Sequence, residues 1–210
     1  MVKLNRKVVD FMEMPSYDTL LSLLKSMTSQ FRFNHSVNVA NMAARLAKIY
    51  GADVQKAMVA GLLHDITKDI PIEEQLEIMK KYIKPEDVKI FDRNVFHGFT
   101  GSVYAKEILN IQDEEILGAI KNHVVGSANM STLEKILLVA DLTSDDRSDE
   151  FADELRKIAM IDLNLAVFKI AIFNIEEYAF KNYDIINPYS FEAYNSIVKE
   201  LDLSKLKKVE

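Results

Sequence analysis

Apolar residues recur along most of this chain at spacings of three and four, the pattern of helices that bury one face. Leu20, Leu23, Leu24 and Met27 share a face of a first helix, predicted from Ser16 to about Arg32. A second is predicted from His35 to Tyr50 and stopped by Gly51, the residue that best tolerates a left-handed helix end. Asp53 is placed to cap a third, which runs through Val54, Ala57, Met58, Gly61, Leu62 and Leu63 to His64–Asp65. Near its end that helix is apolar almost all round, which predicts burial. Pro71 opens a short helix over Ile72–Tyr82, since a first-turn proline forfeits no hydrogen bond.

Further helices are predicted over Phe99–Leu109 and Glu114–Val124, the latter capped by Asp113 with acidic residues in its first turn. The Ser131/Glu134 capping box opens the helix that carries Asp141. Asp149–Ala159, Ile161–Tyr183 and Ser190–Leu201, with Ser190 as cap, complete the set. No stretch alternates as a strand would. The expectation is an all-α, single-domain bundle: an N-terminal extension over 1–15, the folded domain over 16–202 and a basic tail over 203–210.

Composition narrows the chemistry. Apolar residues make up 49% of the chain, enough for a sizeable core, while the 6 glycines and 4 prolines are few for a turn-rich β architecture. Cysteine is absent, so any bound metal must use nitrogen and oxygen ligands, and a cytoplasmic setting is expected. The start of the chain has charges but no sustained apolar run, so it does not read as a signal peptide. No segment approaches the roughly 18 apolar residues that cross a bilayer, and no membrane partner is expected. A formal charge of −6 without a dense basic stripe argues against a duplex nucleic-acid partner. A small anionic substrate remains open, because bound cations reverse the local field.

The 4 histidines are the informative residues. His35 is expected to open a helix, His64 to end one, His97 to precede one and His123 to end one. Asp141 closes the apolar run Ile136–Ala140, where an unpaired carboxylate is costly unless paired or metal-bound. Helix ends in a bundle can converge on one pocket. Adjacent residues on a helix point about 100° apart, so a site that uses both His64 and Asp65 favours two cations bridged by the carboxylate.

The ordered pattern His35, His64–Asp65, His97, His123, Asp141 resembles the HD superfamily of metal-dependent phosphohydrolases. Its local wording resembles the bacterial symmetrical diadenosine tetraphosphatases: Arg32-Phe33-Asn34-His35-Ser36, Ala60-Gly61-Leu62-Leu63-His64-Asp65 with Lys68, His97 with Gly101, His123 with Gly126 and Met130, Leu133-Glu134-Lys135 and Val139-Ala140-Asp141. The resemblance spans about residues 16–200 and implies an HD-domain helical bundle. It implies that His35, His64, Asp65 and Asp141 hold one metal and that Asp65 bridges to a second held by His97 and His123. Iron and a homodimer are further implications; the ligand types alone equally suit Mn, Zn, Co or Ni. Two departures bear on substrate contacts: Val125 before Gly126, and Leu142-Thr143-Ser144-Asp145 in place of a Tyr-Ile-Glu-Pro run, with Arg147 kept.

The implied reaction is hydrolysis of a dinucleoside polyphosphate, diadenosine tetraphosphate to two ADP, by a metal-activated hydroxide. Asp65, Lys68 and Arg147 are the candidate catalytic residues, with Lys68 and Arg147 as phosphate contacts. Lys68 shares a face with His64 and Asp65 if the helix continues that far. Phosphatase action on mononucleotides or other phosphomonoesters is the alternative reading, and a non-catalytic nucleotide-sensing module the second.

Overall fold

The computed structural model describes residues 14–83, 93–177 and 186–201. Among these it contains α-helices and one 3-10 turn (Arg93–Val95) and no strand. The helices are α1 (Tyr17–Met27), α2 (Gln30–Tyr50), α3 (Val54–Leu63), α4 (Ile72–Tyr82) and α5 (Phe96–Glu107). They continue with α6 (Glu114–Asn122), α7 (Thr132–Thr143), α8 (Glu150–Ala159), α9 (Leu163–Glu176) and α10 (Pro188–Glu200). The described residues therefore form the expected all-α bundle, and none of their helices is long and apolar enough to cross a membrane.

Several caps stand where the sequence puts them. The Asp53 carboxylate accepts from the N–H groups of Gln55 and Lys56, and Asp113 does the same for Glu115 and Ile116. Gly51 is left-handed at φ 69° and ends α2. The Ser131/Glu134 capping box forms in full at the start of α7.

Several boundaries differ from expectation. The first predicted helix is two: Thr28 and Ser29 are extended, and the Ser29 hydroxyl accepts from Arg32 N to start α2 at Gln30. His35 therefore lies inside α2 rather than at its opening. Periodicity runs on across this break, so only the cap marks it. The helix after the 3-10 turn begins at Phe96, which puts His97 in its first turn. The last helix begins at Pro188 under an Asn187 cap, not at Ser190. Of the long helix predicted to Tyr183, Leu163–Glu176 is α-helical under an Asp162 cap, and 178–183 lie outside the described residues. The extension (apart from 14 and 15) and the basic tail fall outside them too.

α2 is the central element, packed on α3 and α7, while α6 bridges α5 and α7. Val39, Ala40, Ala43, Leu62, Leu63, Ile136 and Val139 are fully buried along this seam. Two glycines bring backbones into direct contact. A Cβ on Gly61 would sit 2.6 Å from Ala40 Cα, so α3 lies flush on α2. A Cβ on Gly98 would sit 2.8 Å from the Lys121 carbonyl oxygen, so α5 lies equally close to α6. Each close approach stands beside a histidine, His64 in the first case and His97 in the second.

Gly61→Ala is expected to destabilise the fold by about 1–3 kcal/mol through overpacking. The check is the urea midpoint at unchanged m-value; an unaltered midpoint contradicts the flush packing of α2 and α3.

Candidate metal centre

The four imidazoles form a row in the bundle interior. Consecutive ring centroids are 5.3 Å apart from His35 to His64, 4.9 Å from His64 to His123 and 5.0 Å from His123 to His97. All four are at least 96% buried. His35 comes from the second turn of α2, His64 from the residue ending α3, His97 from the first turn of α5 and His123 from the residue ending α6.

Two carboxylates lie against the row. Asp65 directs Oδ1 toward His97 Nε2 (3.1 Å) and His123 Nε2 (3.6 Å), and Oδ2 toward His64 Nε2 (3.5 Å). Asp141, from the last turn of α7, puts Oδ1 3.0 Å from His35 Nε2 and 4.0 Å from His64 Nε2. All six residues singled out in the sequence are thus brought together. Donor atoms of His35, His64 and Asp141 lie within 4.8 Å of one another, as do those of His64, Asp65 and His123. His64 belongs to both groups. His97 falls outside both groups but adjoins the second, its Nε2 lying 3.1 Å from Asp65 Oδ1 and 3.2 Å from His123 Nε2.

The polar chemistry of the cluster suits cations. His64 Nδ1 donates to the Gly61 carbonyl and His123 Nδ1 to the Ile120 carbonyl, each at 2.7 Å. Those bonds fix the tautomer, so both Nε2 atoms present lone pairs to the cluster. His64 Nε2 and Asp65 Oδ1 are buried with no hydrogen-bond partner. Buried lone pairs facing one another are costly unless a positive charge satisfies them. Burial pushes the pKa values of His64 and His97 down to about 4, which keeps both neutral and able to ligate at neutral pH. Burial also acts to raise Asp65 and Asp141. The neighbouring histidines outweigh it, through electrostatic attraction to His64 and hydrogen bonds with His123 and His97 at Asp65 and through the hydrogen bond with His35 at Asp141, and hold both carboxyls well below the usual range.

Three cations stand around the donors. Arg32 Nη1 donates to Asp65 Oδ2 at 2.5 Å, and Lys68 Nζ reaches the same oxygen at 3.2 Å. Lys68 does so although α3 has ended: residues 64–70 turn through successive i+3 bonds, among them Lys68 N to the Asp65 carbonyl. Arg147 Nη2 donates to Asp141 Oδ1 at 2.8 Å and its Nε to the Asp141 carbonyl at 3.0 Å. Asp69 accepts from Ser29 N at 2.8 Å and so ties the turn to the start of α2.

Asp146 escaped the sequence reading. Its Oδ2 accepts from His35 Nδ1 at 2.8 Å, the anchor that backbone carbonyls give His64 and His123. Asp145 beside it pairs with Arg45 at the surface instead. Nothing in an Asp-Asp pair beyond a helix end tells which carboxylate turns inward. Gln75, Asn94 and Asn174 were missed as well. They line a cavity of about 520 Å³ that also touches Lys68, His97, His123 and Asp141.

Comparison with known proteins bears on the family and the fold. The HD domain family matches residues 32–146. The chain is 32% identical to a symmetrical bis(5'-nucleosyl)-tetraphosphatase of Halalkalibacterium halodurans, over 86% of this chain and 96% of that protein. It is 34% identical to the protein of the same name from Bacillus subtilis, over 85% of this chain and 95% of the relative. A crystal structure from Clostridium acetobutylicum, described as a predicted HD superfamily hydrolase involved in NAD metabolism, is 35% identical. It superposes with a TM-score of 0.84, covering 90% of this chain and 100% of that one.

Asp146→Ala is expected to lower affinity for divalent metal by about 10- to 100-fold, the usual cost of removing a carboxylate behind a ligating histidine. Titration of chelator-treated protein with Mn(II) or Zn(II) tests this; wild-type affinity in the variant contradicts it.

Proposed function

The chain belongs to the HD-domain family of metal-dependent phosphohydrolases, and from that premise we propose that it splits dinucleoside tetraphosphates symmetrically, diadenosine tetraphosphate yielding two ADP. The observation that most supports the reading is the donor cluster itself, six buried nitrogen- and oxygen-bearing side chains beside a cavity of about 520 Å³ whose lining includes Lys68.

In this reading His35, His64, Asp65 and Asp141 hold one metal, and Asp65 bridges to a second held with His97 and His123. The split of Asp65, one oxygen toward His64 and the other toward His97 and His123, favours the bridging role. Bound there, the metal pair supplies Lewis acidity toward phosphoryl oxygens and brings the pKa of a water toward neutrality. The histidines contribute Nε2 lone pairs whose direction is fixed by Gly61, Ile120 and Asp146.

Lys68 and Arg147 bind and orient the polyphosphate. Both lie beside the carboxylates, and each retains N–H donors beyond those it gives to Asp65 or Asp141. Water oxygen bonds to one of the two inner phosphorus atoms. The bond from that phosphorus to the central bridging oxygen breaks, the oxygen leaves with the other half, and protons pass to solvent. The apolar walls of the cavity, Ile70, Ile72, Val124 and Leu142, exclude competing water from the bound half. Iron as the metal, a homodimer and a cytoplasmic setting complete the reading; the first two rest on family resemblance, the third on the cysteine-free composition.

Incubation of metal-loaded protein with diadenosine tetraphosphate is expected to give ADP as sole product, read by chromatography. ATP plus AMP, or free phosphate, contradicts the symmetrical cut. Asp65→Ala is expected to purify without either metal and to turn over at background rate. An Asp65→Ala protein that retains two metals per chain contradicts the bridging assignment.

A further inference from the structure

Two cavities reach the histidine row from its two ends. The larger, about 520 Å³, includes His97 and His123; the smaller, about 190 Å³, includes His35. Lys68 lines both. Their chemistry differs. The larger combines apolar walls with the amides of Gln75, Asn94 and Asn174, groups suited to a nucleoside. The smaller gathers Arg32, Lys68 and Arg147 and has Phe31 as its aromatic member. Asp146 is its only carboxylate, and that group already accepts from His35.

Phe31 is unusual for its size. It is 71% exposed in the first turn of α2, with the Arg32 guanidinium 5.9 Å from its ring centroid. A lone exposed aromatic is ordinary on a protein surface. One that lines a cationic cleft next to a donor cluster presents a free π-face where a polyphosphate would carry its base.

We propose that the smaller cavity is a second nucleotide subsite: Arg32, Lys68 and Arg147 take the phosphates of the far half of the substrate, and the Phe31 ring stacks on its base. The proposal rests on the dinucleoside tetraphosphate reading above and deepens it. Arg32 and Lys68 share Asp65 Oδ2 and Arg147 binds Asp141, so each cation is held in place by one or two N–H groups and keeps further donors, the buried Arg32 Nε aside. A volume of about 190 Å³ suits phosphates rather than a whole nucleotide, which leaves the base at the open rim beside Phe31. With one half of the substrate in each cavity, the middle of the four-phosphate chain lies over the donor cluster. A central cut follows from this placement, and a mononucleotide fills one cavity only.

The test is calorimetric binding of two ligands to metal-loaded protein: ADP, and a diadenosine tetraphosphate analogue with a non-hydrolysable methylene bridge at its centre. Phe31 is exposed at the surface of α2, so Phe31→Ala is expected to fold normally. Base–aromatic stacking typically changes affinity by about tenfold or more. Phe31→Ala is therefore expected to weaken the analogue about tenfold and leave the first ADP unchanged, while Phe31→Trp keeps wild-type affinity. Equal analogue affinity in Phe31→Ala and wild type overturns the subsite, as does an equal loss for both ligands. A wild-type protein that binds the analogue no more tightly than ADP overturns it too. The subsite and the functional reading fail separately: a protein that shows the selective loss, yet does not cut the parent compound into two ADP, retains the subsite and loses the proposed reaction.

Discussion

The structure turns on one electrostatic demand. Four imidazoles and two carboxylates are buried in the helical interior with lone pairs facing one another. An interior of low polarisability punishes unpaired lone pairs and unpaired negative charge, and protons or cations must answer them. Burial keeps His64 and His97 neutral, whereas His35, although burial works against it, is raised by its hydrogen bonds to Asp141 and Asp146 and is a member of the row that can carry a charge. Arg32, Lys68 and Arg147 reach in from outside it and engage Asp65 Oδ2 and Asp141 Oδ1, the oxygens that also face His64 and His35. A divalent ion suits the lone pairs left over, among them His64 Nε2 and Asp65 Oδ1. Metal affinity and fold are therefore coupled, since the same groups that ligate also set the cost of folding without a ligand.

The scaffold meets this demand with backbone rather than with further side chains. α3 and α6 each end on a ligand-type histidine whose Nδ1 donates to a carbonyl three residues back, Gly61 for His64 and Ile120 for His123. A helix end offers such carbonyls because they have no intrahelical donor. The geometry repeats because both histidines sit at the residue that closes a helix. His35 lies inside α2, where the local carbonyls are occupied by the helix, and Asp146 takes over the same office from the loop after α7. The difference in anchor follows from position on a helix, not from a difference in chemical role.

That contrast also explains what the sequence disclosed. Residues whose signals are local were legible: the caps Asp53, Asp113 and Ser131/Glu134, the stop at Gly51, and the apolar ends of α3 and α7 around Asp65 and Asp141. The six ligand-type residues emerged because histidine is scarce and each lies in an apolar segment, and family resemblance supplied their order. The start of α2 was not legible, because Thr28 and Ser29 interrupt a periodicity that continues on either side. Asp146 and the cavity amides were invisible for a different reason. Their partners lie across the fold, such as the 111 residues between Asp146 and His35, and no spacing within one element records such a meeting. Lys68 is intermediate: the helix expected to carry it ends at Leu63, yet the run of tight turns keeps its ammonium on Asp65.

Net charge illustrates why global composition says little about such a site. The chain carries −6 overall, which alone argues against a polyanionic ligand. The field that a substrate meets is set instead by charges within about one Debye length, roughly 10 Å at 0.1 M salt. Within that range the carboxylates Asp65 and Asp141 are turned inward, where cations neutralise them, whereas Lys68 and Arg147 keep donors free at the cavity walls. Charges on distant surfaces, such as the Lys56–Asp113 and Lys169–Glu154 pairs, are screened by solvent. Arg32, Lys68 and Arg147 are paired with Asp65 and Asp141, so the local balance is close to even without a metal. The positive charge of a bound metal would tip it, leaving the remaining donors of those three cations to face a phosphate in a protein that is acidic overall.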